Sequence, residues 1–202
     1  MSESDELKYI CRVSCSGKLL GKTLFAGLTD FDACDSNHFY TVQSGQIRAY
    51  SYANELRNSF EWRFSEFLLI RAHRDRVAAS DLLQNILVFK YSAASGFSLD
   101  TKILQPHSKL ITDMTFIELP FGHTYLASVS FDGFLKVFDF SQPFRPIFEY
   151  SSSKKWCFSL LYEPATLVLT VNSEGKKYPQ KMFYFQEGVI ARKFDFYNEN
   201  VL

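Results

Sequence analysis

Four groups of short strand-forming runs recur along this 202-residue chain, and that recurrence limits the fold more than any single residue does. LTDFDAC, HFYTVQ, QIRAYSY and FEWRF make a first group, about residues 28–66. FLLIRA, RVAASDL, NILVFKYS and SLDTKIL make a second, about 67–106. The stretch HSKLITDMTFIELPFGHTYLASVSFDGFLKVFD, extended through PIFEYSS, makes a third, about 107–153. WCFSLLY, TLVLTVNS, KMFYFQ and VIARKFDF make a fourth, about 154–198. The runs are β-branched and aromatic, and Gly, Ser, Asn and Asp separate them. An aromatic closes the third run of each group, at Tyr50, Phe89, Phe138 and Phe185, roughly 40 to 50 residues apart. The nearest helical candidate, residues 55–70, alternates Phe60, Trp62 and Phe64 with polar residues, so a period of two explains it better. The pattern predicts an all-β chain of about four copies of one four-stranded unit. Residues 1–6 read as a disordered tail and 7–202 as the folded part, in which 7–25 form a leftover strand pair.

Composition bounds the function. Lys plus Arg and Asp plus Glu both number 22, so the chain has no net charge and no overall basic balance for nucleic acid. The four cysteines have no paired C-x-x-C spacing, which fits a reducing compartment. The N-terminus MSESDELK lacks the basic and apolar regions of a secretory signal, and no apolar run approaches the ~18 residues of a membrane span. These features predict an intracellular protein, cytoplasmic or nuclear.

The third group carries the specific marks. His107 is followed by an apolar strand, then Ser128, then Asp132-Gly133, then Phe138-Asp139. This order resembles a WD repeat, the unit that builds one blade of a β-propeller. The resemblance implies a buried polar relay of His107, Ser128 and Asp132, with Phe138 where the family has Trp. Phe138 has no N–H, so it cannot extend the relay as Trp does. The other units depart further: Ser44, Leu83 and Pro179 stand at the Asp position. The resemblance thus implies a WD-repeat-like β-propeller of about four blades, an incomplete ring, because such rings usually close with about seven. Its unpaired ends are expected to expose Phe and Tyr from Phe39–Tyr52 and Phe183–Phe196. Residues 127–132, 135–140 and 143–147 also resemble a blade of the WD-repeat subunits of the RNA polymerase III factor TFIIIC.

Several apparent motifs carry less. SGKLLGKT at 16–23 nearly matches a phosphate-binding loop, but Ser16 replaces the first Gly and no helical period follows, so it reads as a turn between strands. Ser128, His107 and Asp132 could be taken for a hydrolase triad, yet no G-x-S-x-G surrounds the Ser. His38, His73 and His123 stand alone in turns and read as solvated, as do Arg71, Arg74 and Arg76. Cys11 and Cys15 have no later partners for zinc. No catalytic, cofactor or metal residue is assigned. Lys109, Lys154, Lys155, Lys176 and Lys177 fall in loops that share one propeller face, a candidate basic patch for an acidic protein segment or phosphate backbone. The expected function is a non-enzymatic scaffold for protein–protein interactions in a larger complex. The alternative is a nuclear subunit of a DNA-bound transcription complex resembling TFIIIC, and nucleic acid is then met indirectly or through the basic patch.

Overall fold

The computed structural model describes residues 7–13, 19–33, 38–143, 145–152, 156–174, 180–186 and 189–195. They form an all-β chain of four four-stranded antiparallel sheets, each a propeller-type blade, and one two-stranded hairpin. The hairpin joins β1 (Leu7–Val13) to β2 (Leu19–Ala26). The first blade holds β3 (Leu28–Asp32), β4 (His38–Gln43), β5 (Gln46–Ser51) and β6 (Leu56–Phe60). The second holds β7 (Phe67–His73), β8 (Arg76–Asp81), β9 (Ile86–Ser92) and β10 (Gly96–Ile103). The third holds β11 (Ile111–Glu118), β12 (Thr124–Ser130), β13 (Phe134–Asp139) and β14 (Phe148–Ser151). The fourth holds β15 (Cys157–Glu163), β16 (Val168–Ser173), β17 (Gln180–Gln186) and β18 (Val189–Asp195). Each sheet runs in chain order, because tight turns allow only neighbouring antiparallel strands to pair.

The repeats share details finer than strand order. In all four blades the residue after the second strand donates its N–H to the carbonyl just before the first strand. These bonds are Ser44 to Gly27 (2.9 Å), Leu82 to Glu66 (3.0 Å), Phe131 to Leu110 (3.1 Å) and Glu174 to Trp156 (2.7 Å). The first strand of each blade also has a register shift near its start, between Leu28 and Asp30, Phe67 and Leu69, Ile111 and Asp113, and Cys157 and Ser159. Burial follows strand position. β4, β8 and β12 are buried over most of their length, whereas the outer strands β6 and β14 are half-buried to exposed.

Contacts divide the chain into two units, Met1–Leu82 with Val88–Asp100, and Leu83–Leu87 with Thr101–Leu202. Within the second, Ile117, Val129, Leu135 and Val137 of the third blade pack with Cys157, Leu169, Val171 and Phe183 of the fourth. Each fully buried aliphatic or aromatic side chain of this kind contributes ~1.5–3 kcal/mol. A carboxylate ties the two first strands together: Asp113 Oδ2 accepts the Leu160 N–H at 2.8 Å, and Oδ1 accepts the Met114 N–H at 2.8 Å. The first unit repeats this device. Asp30 Oδ2 accepts the Ile70 N–H at 2.9 Å and the Arg71 guanidinium at 2.7 Å. Asp32 Oδ2 then takes the Ala72 N–H at 2.8 Å. Burial raises the Asp32 carboxyl, and the N–H bonds and Arg71 offset this only in part. Leu69 and Ser159 hold the corresponding places in the second and fourth blades, so these carry no carboxylate there.

Three expectations change. Arg71 is not solvated, since it lies within β7 and pairs with Asp30. The strand pair expected at 7–25 is there, as β1 and β2, and it covers the first blade: Phe25 and Ile10 pack on Phe39, Tyr50 and Tyr52, with Phe25 and Tyr50 ring centroids 5.3 Å apart. Phe39 and Tyr50, expected at an open end, are therefore only 4% and 7% exposed. Gly27 permits this arrangement, because its φ of 61° suits glycine and a Cβ there would meet Ser44 Oγ at 2.5 Å. Phe183 is buried too, against Phe148 and Tyr150. The expected tail 1–6 lies outside the described residues.

Asp113→Ala leaves the Leu160 N–H without its acceptor and is expected to cost about 1–3 kcal/mol, read as a lowered urea midpoint. Asp113→Asn, which retains an acceptor oxygen, is expected to lose less.

Candidate functional site

The third blade brings His107, Ser128 and Asp132 together. Two elements position them. Ser128 lies on β12 with its side chain fully buried, and Asp132 lies in the turn to β13. That turn is set locally: Asp132 N–H donates to Ser130 Oγ (3.1 Å), Ser130 Oγ donates to the Lys109 carbonyl (3.0 Å), and Gly133 takes a φ of 85°. The Asp132 carboxylate then accepts from three sources. These are Phe134 N–H (3.0 Å), Ser108 N–H (3.0 Å) and His107 Nδ1, which lies 3.2 and 3.0 Å from its two oxygens. A carboxylate only accepts, so Nδ1 carries the hydrogen. His107 Nε2 lies 2.8 Å from Ser128 Oγ, within hydrogen-bond distance.

Burial works to raise the Asp132 carboxyl, but the bond from His107, its charge and the two N–H bonds outweigh it and hold Asp132 below its ordinary value. The group therefore stabilises the fold fully above the ordinary carboxylate range. That contribution is lost as pH falls through the lowered folded value.

The connectivity Ser–His–Asp is also that of a hydrolytic triad. Here Ser128 is 0% exposed and His107 is 3% exposed, so the hydroxyl is enclosed by packed protein. The arrangement joins the loop before β11 to the turn after β12. Phe138, expected where a WD repeat has Trp, is a buried ring on β13, paired with Leu126 across the sheet.

The first blade has a different buried polar network, which joins its second strand to its third and which a search for His and Asp misses. Thr41 stands where Ser128 stands, three residues before the shared turn bond. Gln43 Nε2 donates to Thr41 Oγ1 (2.9 Å), and Gln43 Oε1 accepts from Arg48 (3.0 Å) and from the Tyr50 hydroxyl (3.3 Å). Tyr50 at the end of the third run thus supplies the donor that Phe138 lacks. The signal was Tyr in place of Phe, together with a Thr and a Gln in a strand otherwise apolar.

Of the candidate basic patch, only Lys109 falls among the described residues. Lys109 is exposed in the loop before β11, and Lys154, Lys155, Lys176 and Lys177 lie outside the described residues. Gly21, Lys22 and Thr23 are inside strand β2, paired with Arg12, Cys11 and Ile10, and not in the turn expected. Lys22 Nζ lies 3.3 Å from the Tyr9 ring centroid. His38 and His73 are half-buried, not solvated; His38 packs against Tyr91 with centroids 5.4 Å apart. Burial, with Arg74 and Arg76 nearby, holds His73 below its ordinary value.

Sequence reasoning also missed an aromatic cluster beside the relay. Phe131 follows β12, Trp156 precedes β15, and Phe158 lies on it. Phe131 is 5.3 Å from Trp156 and 6.1 Å from Phe158, centroid to centroid, and Trp156 is 6.5 Å from Phe158. Trp156 and Phe158 are 47% and 44% exposed. Rings this close fill the space among themselves, so they form a patch and not a cage for a cation. No protein-family model matches this chain, and no curated protein matches it.

Asp132→Ala is expected to cost about 1–3 kcal/mol at neutral pH by stranding buried donors. The stability gap between the native chain and Asp132→Asn is expected to shrink below about pH 4, when urea midpoints at pH 7 and pH 3 are compared. A titration with labelled ATP or GTP is expected to show no saturable binding, because the phosphate-loop residues are locked in a strand pair.

Proposed function

We propose that this chain is a non-enzymatic, WD-repeat-like scaffold that mediates protein–protein interactions within an intracellular multiprotein complex. The observation that carries this reading is the cluster of half-buried Phe131 with exposed Trp156 and Phe158 on two packed blades. Propeller blades commonly serve as interaction scaffolds, since rigid sheets present variable turns. Aromatic residues, Trp above all, dominate the energetic centres of protein interfaces. Leu161, on the same strand as Phe158, is a further apolar side chain, 65% exposed. The burial of Ser128 and His107 supports the non-enzymatic assignment. In the sequence Lys154 and Lys155 directly precede Trp156, and with Lys109, Lys176 and Lys177 they are proposed to favour an acidic partner segment.

The second reading, a nuclear subunit of a DNA-bound transcription complex resembling TFIIIC, rests on residues 127–132, 135–140 and 143–147. Enrichment of the tagged chain on chromatin would favour it.

The test is affinity purification of the tagged chain from its own cells, followed by cross-linking to map contacts. A defined partner set is expected. Trp156→Ala with Phe158→Ser is expected to weaken its retention roughly thirtyfold, the loss of ~2 kcal/mol, with the melting midpoint little changed. Undiminished retention of every partner by this variant refutes the aromatic cluster as the contact. Recovery of the chain alone refutes the scaffold reading.

A further inference from the structure

Prolines wall a cavity in the unit that holds the third and fourth blades. Leu135 and Val137 of β13 pack toward the fourth blade. A strand alternates, so Lys136 and Phe138 face the other way. There they meet residues 102–106, the end of β10 and the chain after it, across a cavity of about 450 Å³. Phe138 and Ile103 form its floor, 2% and 3% exposed. Pro106, Pro143 and Pro146 stand around it, and Leu104 at its edge is 67% exposed.

Three observations say what fits there. The first is size: a cavity of about 150 Å³ holds a benzene-sized group, so one roughly three times as large takes an indole. Proline rings are rigid and carry no N–H, so these walls need no ordering when a ligand arrives. The second is charge. Among the described residues the charged lining is two cations, Lys102 and Lys136. Glu149, which is not part of the lining, lies 3.1 Å from Lys136 Nζ and takes one of the three donors of that ammonium. The third is extent. Gln105, Pro106 and Lys136 also line a second cavity of about 530 Å³, so the two form one groove. Gln84 and Ser108 in the second cavity bear amide and hydroxyl groups that both donate and accept, as a peptide group does.

We propose that this groove binds an acidic segment of a partner protein that carries one large aromatic side chain. The ring enters the cavity floored by Phe138 and Ile103, and a neighbouring carboxylate meets Lys102 and Lys136. The main chain runs past Pro106 toward Gln84 and Ser108. A buried aromatic anchor supplies most of the affinity of such a contact, and the lysines select the acidic neighbour. None of the lining residues belongs to the Phe131–Trp156–Phe158 cluster. That the ligand is a protein segment rests on the scaffold reading; the groove itself does not.

The probe is a fluorescein-labelled, capped peptide with one tryptophan between two glutamates, flanked by serine and glycine, titrated against the full chain by anisotropy. Saturable binding is expected. Alanine in place of the tryptophan, or glutamine in place of both glutamates, is expected to weaken it at least tenfold. Leu104→Asp in the protein is expected to do the same with the melting midpoint in place, because Leu104 is exposed. Trp156→Ala is expected to leave binding unchanged. No saturable binding overturns the proposal, as does equal binding of the alanine or glutamine peptide. Loss of binding in Trp156→Ala but not in Leu104→Asp also overturns it, since the peptide then sits on the aromatic cluster. Indole acetate bound as tightly as the peptide overturns it too, since the cavity then takes a small molecule. Recovery of the chain alone in affinity purification counts against the scaffold reading, while saturable peptide binding still supports the groove.

Discussion

A carboxylate near the start of one blade's first strand, accepting a backbone N–H from the first strand of the next, fixes how paired blades stack. Asp113 does this to Leu160, and Asp30 does it to Ile70. A first strand has two sets of backbone groups; its own sheet uses one, and the other faces the neighbouring blade. Apolar side chains fill the space between blades but cannot satisfy that N–H. The register shift just ahead of each Asp turns its side chain out of the sheet's alternation and toward the neighbour. Each unit contains one such pair, and the apolar clusters align behind it.

The buried polar groups of the first and third blades join different parts of a blade. In the third they hold the turn after the second strand to the loop before the first, and in the first they hold the second strand to the third. In the third blade a charged acceptor, Asp132, gathers three donors. In the first, the neutral Gln43 gathers Arg48 and Tyr50 and donates to Thr41. The chemistry differs, yet Asp132, His107, Ser128, Thr41, Gln43 and the Tyr50 hydroxyl each find a partner, as the low dielectric of a core demands. This also explains why a Ser–His–Asp connectivity can be structural. Hydrogen-bond geometry is common to a relay and a triad, and access to the hydroxyl separates them.

The surfaces left over are where function is proposed. The cluster of Phe131, Trp156 and Phe158 is apolar area kept near water. Among the described residues no helix is long and apolar enough to cross a membrane.

Much of the fold was legible in the sequence. Alternating apolar runs, turn residues between them and an aromatic at each third run were enough for four four-stranded sheets. His107, Ser128 and Asp132 were legible as a group through the resemblance of one repeat. The double occurrence of an apolar residue, Thr and Asp at 28–30 and 111–113 was present in the sequence too, but only a second strand at the right distance gives that Asp its meaning. The burial of Phe39 and Tyr50 under Phe25, the Arg71 pairing, the strand around Lys22 and the aromatic cluster were decided by tertiary structure. Periodicity is a local property, set by the backbone's two-residue repeat, so a sequence states it directly. Which face meets which neighbour depends on contacts between residues far apart in the chain, and only the folded chain specifies those.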